Sequence, residues 1–175
     1  GDNFVAKDLE ERLQNVVTLL TDTNGDGNYD QRQVFADGFT FPQGVLWHDG
    51  ALYVASPPSI WKLTDDDDDG GADTRVAIAS GFGYTGNAAT VHTPRISPTG
   101  RLFWGHGRKP SQVKDVTGKL VHTGASARIW TSTLEGHDLR PWCGGGMANP
   151  VELDFWPTGE VIGNVNILHR DPVRR

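Results

Sequence analysis

An aspartate-rich block of ten residues occurs twice in this chain, the copies standing 43 residues apart. Thr21-Asp-Thr-Asn-Gly-Asp-Gly-Asn-Tyr-Asp30 leads into Gln-Arg-Gln-Val-Phe-Ala-Asp-Gly-Phe39. Thr64-Asp-Asp-Asp-Asp-Asp-Gly-Gly-Ala-Asp73 leads into Thr-Arg-Val-Ala-Ile-Ala-Ser-Gly-Phe82. Thr, Asp, Asp, Gly, Asp, Arg, Gly and Phe coincide at that single offset. A fixed period is the mark of a repeat architecture, and about 40–45 residues is the length of one four-stranded propeller blade.

A second pattern runs in the same frame. Pro42–Val54, Pro94–Trp104 and Pro150–Ile162 each read as strand, Gly-containing turn, strand, which is the signal of a β-hairpin. Third strands follow the first two hairpins at Ser59-Ile-Trp-Lys-Leu and Ala127-Arg-Ile-Trp-Thr-Ser. Fourth strands follow at Arg75-Val-Ala-Ile-Ala and Leu139-Arg-Pro-Trp. The expected fold is therefore all-β, a partial propeller with two whole blades and parts of two more. The polar segment between Gly105 and Gly124 reads as a loop inserted between strands of one blade. Residues 1–15 form a lead-in; Val5–Val17 has the spacing of a short amphipathic helix, but a strand at Val16–Leu20 is preferred. Residues 16–175 form the propeller segment.

The two blocks are also chemically specific. Calcium takes six to eight oxygens, so a loop that holds it presents carboxylates at alternate positions around a sharp turn. Asp22, Asn24, Asp26 and Asp30 stand at positions 1, 3, 5 and 9 of such a loop, with the Asn28 carbonyl at position 7 and Gly27 at the turn. Asp65, Asp67, Asp69 and Asp73 repeat this, with the Gly71 carbonyl at position 7 and Gly70 at the turn. Both fit the first nine positions of an EF-hand loop, but Gln33 and Val76 stand where its bidentate Glu would be. The charge distribution points the same way. The formal net charge is −6, and nine of the 22 carboxylates fall in the two blocks, leaving the remainder mildly basic. The acidity is local and calls for a cation. A calcium that pins a blade edge is favoured over a catalytic one.

The D-T-N-G-D-G-x-x-D and V-F-A-D-G elements of the first copy, with Phe41-Pro-Gln-Gly-Val, resemble the propeller of membrane-bound dehydrogenases abundant in planctomycetes and related bacteria. Gly107-Arg-Lys-Pro-Ser-Gln-Val-Lys-Asp, Ser126-Ala-Arg-Ile-Trp and Gly144-Gly-Gly-Met-Ala-Asn-Pro-Val-Glu-Leu-Asp-Phe are similar to the same group. The likeness runs from about Val16 to His169. That group is in turn similar to soluble sugar dehydrogenases that carry pyrroloquinoline quinone on a six-bladed propeller. The resemblance implies a periplasmic or extracellular protein whose propeller continues beyond Arg175. It also implies a possible c-type cytochrome domain elsewhere and a sugar or alcohol substrate. His92 takes the place of the catalytic base, and Arg95 that of a cofactor contact.

Other residues carry less. Cys143 lacks the second Cys and the His of a haem attachment site, so no haem is expected on this segment, and it reads as a packed thiol. His106, with Arg108 and Lys109, reads as part of a polar surface loop; His169 and Arg170 read as channel residues. Trp47, Trp61, Trp104, Trp130 and Trp156 recur at strand positions and read as inter-blade core. No basic stripe for nucleic acid exists, and no apolar run approaches the roughly 18 residues a membrane span needs. A mature or trimmed piece of a larger protein is expected, whose partners are its own remaining blades and domains. Two functions stay open: a quinone-dependent oxidoreductase domain, and a calcium-stiffened propeller that binds carbohydrate or protein or serves as a scaffold.

Overall fold

A computed structural model describes residues 15–85 and 89–166. These residues form fourteen strands and no helix. The channel reading of His169 and Arg170, and the helix alternative before residue 15, lie outside the described residues. The preferred N-terminal strand is present as β1 (Asn15–Thr21), paired with β2 (Gln31–Phe39) in a two-stranded antiparallel sheet.

The next four strands form an antiparallel meander in chain order: β3 (Gly44–His48), β4 (Ala51–Ser56), β5 (Ser59–Thr64) and β6 (Thr74–Ser80). A second meander contains β7 (Arg95–Ile96), β8 (Leu102–His106), β11 (Arg128–Ser132) and β12 (Arg140–Gly144). The chain ends its described part in the hairpin β13 (Asn149–Phe155) and β14 (Val161–Asn166). Every strand read from the hairpin pattern is therefore found.

The polar segment after Gly105 departs from expectation. It is no irregular loop: β9 (Ser111–Asp115) and β10 (Leu120–Gly124) form a hairpin. Ser111 and Val113 are buried while Gln112 and Lys114 are exposed, the alternation of a strand with one dry face. Its turn is closed by the Asp115 carboxylate, which accepts from the Thr117 and Lys119 amides at 2.9 and 3.1 Å. The hairpin pairs with the outer edge of β6, so the first meander becomes a six-stranded sheet. A short hairpin thus covers an edge that would otherwise offer free amides and carbonyls.

The cores lie between consecutive sheets. Phe35 and Phe39 of β2 pack with Leu52, Val54 and Leu63 of β4 and β5. The opposite face of that sheet, through Tyr53, Ala55, Ile60 and Ile78, packs with Trp104 and Trp130 of the second meander. Phe103 and Ile129 then pack with Leu153 of β13. Phe82, the repeat's terminal Phe, meets Trp104 and Trp130 edge-on at centroid distances of 6.1 and 5.6 Å. Such pairs contribute about 0.5–1.5 kcal/mol each beyond area burial. Of the tryptophans read as core, Trp104 and Trp130 are buried, whereas Trp47 and Trp156 are more than half exposed. Trp47 of β3 still meets Phe35 of β2 edge-on at a centroid distance of 6.4 Å, and Trp156 follows the end of β13 in the last sheet.

Gly81 marks how tightly the β9–β10 hairpin sits. Its φ of +81° suits glycine, and a Cβ there would lie 2.0 Å from the Gln112 carbonyl oxygen. Gly81→Ala is expected to cost more than about 2 kcal/mol. Gly100→Ala, at φ +74° in open space, should cost only about 1 kcal/mol. Urea unfolding midpoints measure both; equal losses would mean that the hairpin is not seated against Gly81.

Candidate functional site

The aspartate blocks occupy equivalent turns, the first between β1 and β2 and the second between β5 and β6. Both turns close in the same way. The Asp30 amide donates to the Thr21 carbonyl at 3.1 Å, and the Asp73 amide to the Thr64 carbonyl at 2.9 Å. The Asp22 carboxylate accepts from the Gly27 amide at 2.8 Å, and Asp65 accepts from Gly70 at 2.9 Å. Asp26 and Asp69 each donate their amide to the side chain two residues back, Asn24 and Asp67. Their own carboxylates accept from Asn28 and Gly71, both at 2.8 Å. Asp30 and Asp73 accept from the amides of Thr23 and Asp66. Gly27 and Gly70 supply left-handed turns at φ +87° and +85°. Ten residues of different composition thus form one hydrogen-bonded scaffold, because the donors are backbone amides and the acceptors stand at matching positions.

In the second loop the scaffold brings acidic oxygens together. Asp65, Asp67 and Asp73 each offer an oxygen within 4.8 Å of the others. Two oxygens on opposite sides of a calcium ion with bonds of about 2.4 Å stand that far apart, so this donor set fits the ion. Asp69 and the Gly71 carbonyl share the same loop; Asp22, Asn24, Asp26, Asn28 and Asp30 hold the corresponding positions along the first, but among the described residues its three carboxylates are not gathered in this way.

The electrostatics of the two loops differ. Asp22 is held below the usual carboxylate range, chiefly by the Gly27 amide, with further amides of its turn adding to it. Asp26 is lowered mainly by the Asn28 amide, and Asp30 by the amide and hydroxyl of Thr23. Asp67 goes the other way. The Asp69 amide pulls its pKa down, but the carboxylates of Asp69, Asp73 and Asp65 together outweigh it and raise the pKa. The second loop carries six carboxylates in ten residues against three in the first. Its uncompensated repulsion is correspondingly larger, and a divalent cation would relieve it.

The residues singled out for catalysis lie elsewhere, near β7, β8 and β13. His92 is 4% exposed and so has little access to solvent. Its Nε2 lies 2.7 Å from Asn149 Oδ1 and donates to it. Burial holds its pKa below the usual imidazole range, against the opposing effects of Asn149 and Glu152. Arg95 is paired with Glu152 of β13, and its guanidinium also donates to the Pro94 carbonyl at 3.3 Å.

His106 contradicts the surface-loop expectation. It ends β8, is 2% exposed, and donates from Nε2 to the Gly83 carbonyl at 3.0 Å. The Phe82 ring lies 5.1 Å away. Burial pushes the His106 pKa down to about 4, helped by the proximity of His92 and opposed by the Gly83 carbonyl. Sequence missed the burial of His106 because a Gly-Arg-Lys-Pro run after it reads as polar loop; the unbroken apolar start of Leu102–His106, a strand buried along its whole length, was the available signal. Cys143 is half-buried against Phe103, Ile129 and Leu153, and burial raises its thiol pKa, as a packed thiol should behave.

The sequence matches a family described as a domain of unknown function, DUF7133, over residues 4–166, and the chain belongs to that family. No curated protein and no solved structure matches it.

The buried histidines generate a pH dependence with a definite sign. His106 has a folded pKa of about 4, below the roughly 6.5 of an unfolded histidine. The unfolded chain therefore binds the extra proton between these values. Stability is full above about pH 6.5, falls by about 3 kcal/mol as pH drops to about 4, and then levels; His92 acts in the same direction. Urea midpoints measured across this range should show the slope, and His106→Gln should flatten it. An unchanged slope in the variant would remove His106 as its source.

Proposed function

We propose that this DUF7133 domain is a calcium-binding segment of a β-propeller from an exported, dehydrogenase-like protein, in which the two aspartate loops hold structural calcium at the edges of successive blades. The observation that carries the reading is the hydrogen-bond scaffold shared by Asp22–Asp30 and Asp65–Asp73 at equivalent turns. Asp22, Asn24, Asp26, Asp30 and the Asn28 carbonyl would hold one ion. Asp65, Asp67, Asp69, Asp73 and the Gly71 carbonyl would hold the other. The bound cation supplies charge neutralisation, and the chain's own amides already orient the carboxylates for it. Millimolar calcium outside the cell suits sites of this modest preorganisation, consistent with a periplasmic or extracellular setting.

Several features favour the propeller. β4 and β8, each the second strand of a four-stranded meander, are buried along their whole length, as strands sandwiched between neighbouring blades must be. First strands approach one another in series: Thr93, just before β7, bonds the Gln43 carbonyl, just before β3, at 3.3 Å, and Arg95 of β7 pairs with Glu152 of β13. Leu20 and Val34 on the first hairpin and Trp156 and Ile162 on the last are exposed, on faces that further blades of the same protein would cover. Arg32, the repeat counterpart of Arg75, is likewise exposed.

A quinone-dependent oxidoreductase is the second reading, favoured by His92. Burial keeps its imidazole neutral, the state a general base needs, and its bond to Asn149 places the proton on Nε2 and leaves Nδ1 basic. In this reading Arg95 would contact pyrroloquinoline quinone, which would supply the oxidising power for a sugar or alcohol, and a c-type cytochrome domain would accept the electrons. The competing reading is a non-catalytic module that binds carbohydrate or protein.

Chelation should lower the melting temperature by about 5–10 °C per vacated site at calcium about 100-fold above Kd. Asp26→Ala and Asp69→Ala should each reproduce part of that drop in differential scanning calorimetry. An unchanged melt with excess chelator would sink the calcium reading. Separately, His92→Gln, which can keep a bond to Asn149, should abolish dye-linked sugar oxidation in the presence of added quinone. Activity absent from the unaltered chain as well would leave the module as the function.

A further inference from the structure

The second aspartate loop is fastened to the sheet before it. Gln33 of β2 donates from Nε2 to the Asp69 carbonyl at 2.9 Å. Three residues on, the Ala72 amide donates to the Phe35 carbonyl of β2 at 2.8 Å. Arg75, just past the loop, donates to the carbonyls of Asp37 and Gly38 at 2.8 and 3.4 Å. Its guanidinium also lies 4.1 Å from the Phe39 ring and 4.2 Å from the Trp61 ring. Three successive attachments therefore run from residue 69 to residue 75, all to β2 or to the rings that flank it.

The following junction is made without such a loop. The turn between β11 and β12 is short, closed by Thr133 donating to the His137 carbonyl at 2.9 Å. Gly136 fits against the Ile78 carbonyl where a Cβ would stand 2.4 Å away. Glu135 pairs with Lys62 of β5 at 2.5 Å. The same turn of the next sheet thus reaches the preceding sheet by close packing and an ion pair.

We infer that the second aspartate loop is a calcium-dependent latch between the β1–β2 sheet and the β3–β6 sheet, and that Gln33 is its positioning residue on the neighbouring sheet. The inference rests on the calcium reading above. The residues that would hold the ion, Asp65 to Asp73, overlap the residues held by β2, Asp69 and Ala72. Whatever orders this segment for one partner lowers the entropy lost to the other. The two interactions are therefore coupled, and coupling is reciprocal: calcium tightens the sheet junction, and the junction raises calcium affinity. The junction between the two meanders is independent of calcium. Gln33 also holds position 12 of the first loop, the place of a ligand in an EF-hand, but its side chain reaches forward to the second loop instead.

The experiment is calcium titration of the full chain by calorimetry in two backgrounds. Asp26→Ala leaves the second loop competent, and Asp69→Ala leaves the first. Adding Gln33→Ala should weaken binding about 5–10-fold in the Asp26→Ala background, the effect of one lost hydrogen bond, and leave the Asp69→Ala background unchanged. Hydrogen exchange read by mass spectrometry should show chelation speeding exchange in β2 and β6 while β11 and β12 stay protected. Binding that is indifferent to Gln33→Ala, or weakened at the first loop, would overturn the latch while leaving the calcium reading intact. An absence of calcium binding in both backgrounds would overturn the calcium reading and the latch together.

Discussion

Burial of a β-sheet on both faces is the constraint on which the rest of this structure depends. β4 and β8 have no residue open to solvent, so each of the two meanders needs a partner layer above and below. Sandwiched strands read as continuous apolar runs instead of alternating ones, and Ala-Leu-Tyr-Val-Ala and Leu-Phe-Trp-Gly-His are such runs. The outer strands alternate because they are covered less. The three cores, each shared by consecutive sheets, follow from this.

Stacked sheets must also be kept in angular register, and the turns between third and fourth strands do this work in two ways. At the β3–β6 sheet the turn is a long aspartate loop, attached to β2 by backbone and side-chain hydrogen bonds. At the second meander it is a short turn with Glu135 on Lys62 and Gly136 against Ile78. The exposed ion pair contributes only about 0–1 kcal/mol, so the second junction relies on the apolar contacts of Phe82, Trp104 and Trp130. The first junction has Phe35, Phe39 and Trp61 in its core and adds the aspartate loop, with six aspartates whose mutual repulsion shows in the raised pKa of Asp67. In the proposed propeller a cation would turn that repulsion into a rigid edge.

The buried pair of His92 and His106 sits where β8, β13 and the segment after β6 converge. Each imidazole uses Nε2 to satisfy a neighbour, Asn149 in one case and the Gly83 carbonyl in the other. Both are kept neutral by burial, a state that suits a packed core and also a general base. Their geometry makes them stitches between layers whatever chemistry accompanies them, and it makes the fold weaker in acid.

The sequence by itself determined the strands and the repeat. The 43-residue offset, the hairpin signals at Asp49-Gly50 and Thr99-Gly100, and the alternate aspartates are local, and local chemistry dictates turns and strand periodicity. The equivalence of the two loops was legible for the same reason, since backbone amides of a few consecutive residues build both. Tertiary structure alone decided what those elements touch. The β9–β10 hairpin could pair with β6 only once the two sheets were brought together, so a polar Gly/Pro segment read as loop. His106 became a core residue because Phe82 and Gly83, more than twenty residues away in sequence, close over it. Gln33 turned from its own loop to the next because β2 lies against residues 69–72. Periodicity reports which face of a strand is dry, but not which neighbour dries it; that depends on contacts whose spacing along the chain carries no local signal.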